Sequence, residues 1–232
     1  MIKTTIKSIA RKCMYYLPSS YVLMLHHVTD APEVVKSSCL LNTEAFQRFI
    51  DLNKNYVPVD EIVKKPSCGG VAVTFDDGLE DLYTIAYPFL KSRGIPFTAF
   101  IVTGFLDTPG YITTQQLLEM SADALVTIGA HGVNHGTLTG LSSAEKKTEL
   151  VQSKKNLEEL TGKPVRYYAY SHGQYDKEVL KTARIYNAAF STSERPHNFV
   201  SACSRYTIPR FNIDSTTIEA QTQFFKSINR KV

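Results

Sequence analysis

The chain has 232 residues, 26 Lys and Arg against 22 Asp and Glu, and a net charge of +4 with His neutral. With 43% hydrophobic and 21% charged residues, it is not a collagen-like, low-complexity or disordered polymer. No stretch reaches the ~20 apolar residues that span a bilayer. The basic residues are not gathered into the single face or arm that nucleic-acid binders use, so no nucleic-acid partner is expected.

At the N-terminus, Lys3, Lys7, Arg11 and Lys12 precede the first acidic residue, Asp30, and Ile2, Ile6, Ile9 and Cys13 recur between them at helical spacing. Residues 1–17 therefore read as a basic amphipathic segment. It is either an ordinary surface helix or one that makes peripheral contact with an anionic membrane. No small-residue cleavage site follows a long apolar run, so the expected location is cytoplasmic, with the inner face of the membrane as the peripheral option. Cys13, Cys39, Cys68 and Cys203 form no C-x-x-C pair and read as reduced thiols.

Residues 18–232 read as a single domain. Tyr21 to Leu25 predicts a buried strand ending at His26. Asn42 caps a helix with Phe46, Phe49 and Ile50 on one face. Val71 to Phe75 predicts a second strand running into Asp76-Asp77-Gly78, and a helix follows to about Arg93, stopped by Gly94. Phe97 to Val102 is a third strand, and Leu125 to Ile128 a fourth, leading into Gly129-Ala130-His131. Ser142-Ser143-Ala144-Glu145 is a capping box that opens a long helix ending at Gly162. Arg166 to Tyr170 predicts a fifth strand, which ends near Ser171-His172-Gly173. Asp176 opens another helix, Ala188 to Phe190 is a strand, Thr207 to Ile213 is the last strand, and a helix begins near Ser215. Strands alternating with helices predict parallel βα units in an α/β fold. The polar clusters fall just after strand ends, where barrels of this type gather reactive residues.

Three clusters carry chemistry. Asp76 and Asp77 are adjacent carboxylates at a strand end, which suits a division between metal ligand and base, although Asp-Asp-Gly is also a common turn. His131 and His135, at i and i+4, lie on one face of a helical turn, so both rings can reach one metal ion; the alternative is two surface or loop histidines at this spacing by chance. His26 and His27 end the first strand, and a histidine titrates near neutrality, as a general acid requires. Together they supply three ligands with an open position, a spare carboxylate and a spare imidazole, which fits hydrolysis of an amide or ester.

T-F-D-D-G followed by A-H-G-V-N-H resembles the polysaccharide deacetylase family, the NodB-homology domain of carbohydrate esterase family 4. M-L-H-H-V, Y-P-F-L, A-Y-S-H-G-Q-Y-D and I-P-R-F-N-I are similar to the branch containing the poly-N-acetylglucosamine deacetylases. The resemblance covers roughly residues 21 to 214. It implies a distorted (β/α)7 barrel and removal of an N-acetyl group from an amino sugar in a glycan. It also implies one divalent metal, Zn2+ first, with Co2+, Ni2+ or Fe2+ accepting the same ligands. Asp76 matches the base, Asp77, His131 and His135 the metal triad, and His26 the general acid.

Some positions depart from the family pattern. Gly132 stands where a Ser or Thr usually steadies the loop. Ser171-His172 replaces Pro-Tyr, in a turn where a main-chain N–H near His172 or Gly173 holds the oxyanion; His172 also offers a polar group at the substrate edge or faces solvent. Ala169 aligns with the Arg that usually orients the base, and Arg210 is a candidate replacement for it or a substrate and oxyanion contact, or else a surface ion pair. The substrate expected is an acetylated amino-sugar glycan, either a polymer or a lipid-linked intermediate. A sugar O-acetyl esterase and a non-catalytic glycan-binding protein are the alternatives.

Overall fold

The computed structural model describes residues 20–31, 39–192 and 204–229. The basic segment 1–17 lies outside these. Seven parallel strands form one curled sheet in the order β8-β7-β6-β5-β4-β1-β9. They are β1 Tyr21–Leu25, β4 Val71–Phe75, β5 Phe97–Ile101, β6 Val126–Ala130, β7 Tyr167–Ala169, β8 Ala188–Phe190 and β9 Phe211–Asn212. A separate short pair, β2 His27–Val28 and β3 Leu40–Leu41, follows β1. The sheet is the frame of a distorted (β/α)7 barrel, the α/β fold predicted.

The strands β1, β4 and β5 read as near-continuous apolar runs, interrupted only by Thr74 and Thr98, because both of their faces are covered. Every residue of β1, β4 and β5 is buried. One face packs against the helices and the other fills the barrel, where Val22, Ala72, Phe100, Ala188, Phe190 and Ile208 meet. The helix Ile218–Asn229 docks through aromatic contacts: Tyr21 meets Phe224 and Phe225 edge-on at 5.6 and 5.5 Å, and Phe49 meets Phe225 at 5.6 Å. Each such side chain contributes about 1.5–3 kcal/mol by leaving water.

The last strand is shorter than predicted. Pro209 has no N–H and interrupts the ladder. Ile208 bridges to Phe190 of β8 before the break, and Phe211 and Asn212 pair with β1 after it. This one stretch therefore touches both edges of the sheet. Two helices escaped the sequence reading, Val59–Lys64 and Thr114–Ala122. The helix predicted from Ser142 runs from Ser143 to Thr161 but carries a π-helical turn at Thr148–Gln152. Among the described residues, no helix is long and apolar enough to cross a membrane.

Candidate active site

Sheet register brings the predicted residues together. Leu25 pairs with Phe75, and Ile101 with Ala130. His26, Asp76 and His131 are therefore each the first residue past the sheet on their strands. Two hydrogen bonds extend the ladder one step: Asp76 N–H donates to the Leu25 carbonyl, and His131 N–H to that of Ile101, both at 2.9 Å. Beyond Asp76 the chain reverses through successive left-handed residues, Asp77 (φ 72°) and Gly78 (φ 77°). Asp tolerates this conformation better than most residues.

The reversal sets Asp77 Oδ1 3.4 Å from His131 Nε2 and 3.3 Å from His135 Nε2. The two rings lie 4.9 Å apart. They do not share a helical turn, as the i, i+4 spacing predicted. Gly132 (φ 93°) and His135 (φ 56°) shape an irregular loop instead. Its main-chain groups are held from both sides: Thr103 and Gly104 donate to the carbonyls of Gly132 and Val133 at 3.1 and 2.9 Å, and Glu149 accepts from the amides of Val133 and Asn134. These external partners replace the bonds of a helix.

His131 Nδ1 lies 2.8 Å from the Ala169 carbonyl oxygen. A carbonyl only accepts, so in the neutral ring Nδ1 carries the proton and Nε2 presents a lone pair. Asp77 Oδ1 is buried and receives no hydrogen bond. Three ligand atoms, one each from Asp77, His131 and His135, all lie within 4.8 Å of one another. Two imidazole nitrogens and a carboxylate oxygen converging without a shared donor fit a divalent cation. The electrostatics show the same demand for positive charge. Burial pushes the Asp77 carboxyl up, but the close approach and charge of His131, with His26 and His135 behind it, hold it below the usual range. Burial opposes a proton on His131, yet Asp76 and Asp77 raise its pKa overall. His135, buried and beside His131, is lowered to about 4.

Asp76 is fully buried and bound by Arg210 through two short bonds, Nη1 to Oδ1 at 2.6 Å and Nη2 to Oδ2 at 2.7 Å. Burial raises its pKa, and the charge and hydrogen bonds of Arg210, together with the charges of His131 and His26, outweigh that, so the carboxylate stays ionised. Its Oδ2 stands 3.8 Å from His131 Nε2. Arg210 is 0% exposed and also donates from Nε to the Ser191 carbonyl. It is neither a surface ion pair nor a substrate contact: the barrel interior seals its guanidinium against Asp76.

His26 is mostly buried, with Nδ1 sealed and unpartnered. Burial lowers its pKa, against the opposing pull of Asp76 and Asp77. His27 is tied elsewhere, with Nδ1 2.6 Å from Asp81 Oδ2. His172 (φ 55°) is exposed at the rim, its ring edge-on to His135 at 4.6 Å. Gly173 does not keep the free main-chain donor expected of it, because its N–H donates to the Tyr170 carbonyl at 2.8 Å. Of the two donors predicted in this turn, that leaves His172. Glu149 was missed: nothing local in the sequence links it to a loop sixteen residues earlier.

A family model described as polysaccharide deacetylase matches residues 63–190. The chain is 34% identical over 120 residues to YxkH of Bacillus subtilis, named as a polysaccharide deacetylase, covering 52% of this chain and 43% of that one. It is 27% identical over 162 residues to the poly-beta-1,6-N-acetyl-D-glucosamine N-deacetylase of Staphylococcus aureus, covering 64% and 56%. The chain thus spans about half the length of these curated relatives. Among solved structures, IcaB from Ammonifex degensii shares the fold with a TM-score of 0.78 at 21% identity, over 90% of this chain and 97% of that one. A polysaccharide deacetylase from Bacillus cereus gives 0.78 at 23%, over 90% and 69%.

Proposed function

Because the chain belongs to the polysaccharide deacetylase family, we propose that it hydrolyses the N-acetyl group of an amino sugar in a polysaccharide or a lipid-linked glycan intermediate. The observation that carries this reading is a buried, Arg-held carboxylate, Asp76, beside three converging ligand atoms. Asp77, His131 and His135 would hold one divalent cation, with Zn2+ the first choice and Co2+, Ni2+ or Fe2+ accepted by the same donors. A cation there would polarise a carbonyl and lower the pKa of water.

The chain's own groups supply the rest. Asp76 is kept ionised by Arg210 and fixed in direction by two bonds, so it takes the proton of the attacking water without rearranging. The His172 N–H, at the turn after β7, would donate to the developing oxyanion. An amine leaves poorly until protonated, and His26 gives it that proton. Burial, against the opposing charges of Asp76 and Asp77, lowers the His26 pKa and makes its imidazolium the stronger acid.

A glycan-binding protein would need neither a clamped base nor a spare imidazole. An O-acetyl esterase would use the same groups but depend less on His26, because an alkoxide leaves more easily than an amine. A screen of acetylated sugars, free and lipid-linked, with metal-reconstituted protein tests the reading. Release of free amine supports it. Acetate release from O-acetyl sugars alone, or no turnover with any metal, overturns it.

A further inference from the structure

We propose that Glu149 is a positioning residue of the metal-binding loop, and that Gly132 is glycine because the Glu149 carboxylate occupies the space its side chain would need. The inference rests on the reading of Asp77, His131 and His135 as a cation site.

Glu149 is a buried carboxylate, 3% exposed, on the helix behind the loop. It sits in the π-helical turn Thr148–Gln152, the kind of helical irregularity that often marks a functional position. Its Oε2 accepts from the Val133 N–H at 2.8 Å, and its Oε1 accepts from the Asn134 N–H at 3.1 Å and the Asn134 side-chain amide at 2.9 Å. One charged side chain thus satisfies three donors lying between the two histidines. Charge-assisted bonds of this kind are roughly twice as strong as neutral ones. The carbonyls of the same stretch are held by Thr103 and Gly104, so the loop is fixed from both sides.

The glycine follows from this packing. A Cβ on Gly132 would stand 2.4 Å from Glu149 Oε2, which no real contact allows. Gly132 also has φ +93°, so it answers two demands at once, one of backbone and one of space. A Ser or Thr at 132 would evict the carboxylate.

The test measures Zn2+ affinity by chelator competition, together with hydrogen exchange at residues 131–135 in the metal-free protein. The proteins are the full chain and its Glu149→Gln, Glu149→Ala, Gly132→Ala and Gly132→Ala/Glu149→Ala variants. Loss of a partner that orients metal ligands typically costs 10–100-fold in affinity. Glu149→Ala should lose that much, with faster exchange at Val133 and Asn134, while Glu149→Gln, which keeps one acceptor oxygen, falls between. Gly132→Ala should cost several-fold less in the Glu149→Ala background than in the wild type. Wild-type affinity in Glu149→Ala overturns the positioning role while leaving the cation site standing. Additive effects of Gly132→Ala and Glu149→Ala overturn the spatial reason for the glycine. If Glu149→Ala does not fold, Glu149→Gln decides, and unchanged affinity and exchange in it overturn the proposal. Absence of metal binding by the wild type removes the cation site and this inference with it.

Discussion

Replacing Arg210 with Met isolates the contribution of the guanidinium that holds Asp76. The two bonds, at 2.6 and 2.7 Å, join fully buried partners. Removing one member leaves an uncompensated buried charge, at a cost of about 3–5 kcal/mol. For a domain of this size each kcal/mol moves the melting temperature by ~2–4 °C, so Arg210→Met should melt roughly 6–20 °C below wild type at pH 7. The deficit must depend on pH. In the wild type the Asp76 pKa lies below its unfolded value of ~3.9, so its ionisation stabilises the fold above that pH and the benefit fades as pH falls through the folded value. In the variant burial is opposed only by His131 and His26 and the pKa rises, so the carboxylate destabilises at neutral pH and recovers on protonation. The melting-temperature gap should therefore narrow as pH falls from 7 toward 4. The acid limb of kcat/KM should move to higher pH, because the base must now be deprotonated against burial. Arg210→Met/Asp76→Asn should melt well above the sum of its single losses. A gap independent of pH, or an unmoved acid limb, would refute the argument that Arg210 acts through the charge of Asp76.

Four further outcomes follow from the same geometry. Asp76→Asn should abolish turnover yet keep about one metal per chain, as read by elemental analysis alongside amine release. His131→Ala should lower that stoichiometry, and adding Zn2+ at ~100 times the dissociation constant should raise wild-type stability by about 2.7 kcal/mol in a thermal scan. His26→Ala should cut kcat on an N-acetyl sugar by ~10²–10⁴-fold and on an O-acetyl sugar by much less; equal losses would remove its role as acid.

The sequence made the strands legible where burial on both faces imposed a near-continuous apolar run. Tyr21–Leu25, Val71–Phe75 and Ala188–Phe190 carry the bounds read for them. It also made the convergence of Asp76, His26 and His131 foreseeable, since residues following parallel strands must gather at one end. The helix Thr114–Ala122 was readable but unread: Thr113 and Gln116 form a capping box. Other features had no local signal. The Arg210–Asp76 pair spans 134 positions, and the sequence offered Arg210 only as a candidate. The loop between His131 and His135 looked helical by spacing, because nothing in H-x-x-x-H reveals that Glu149 and Gly104 compete for its main-chain groups. Gly173 shows the limit of counting donors: a turn's own hydrogen bond consumed the N–H that the motif suggested.

The segment around Pro209 carries two duties at once. Ile208 fastens it to β8, Phe211 and Asn212 fasten it to β1, and Arg210 lies between those two attachments. The backbone that ties these strands together therefore also delivers the guanidinium to Asp76. A change that loosens either tether, far from Asp76 in sequence, should free that carboxylate to take up a proton in its apolar surroundings.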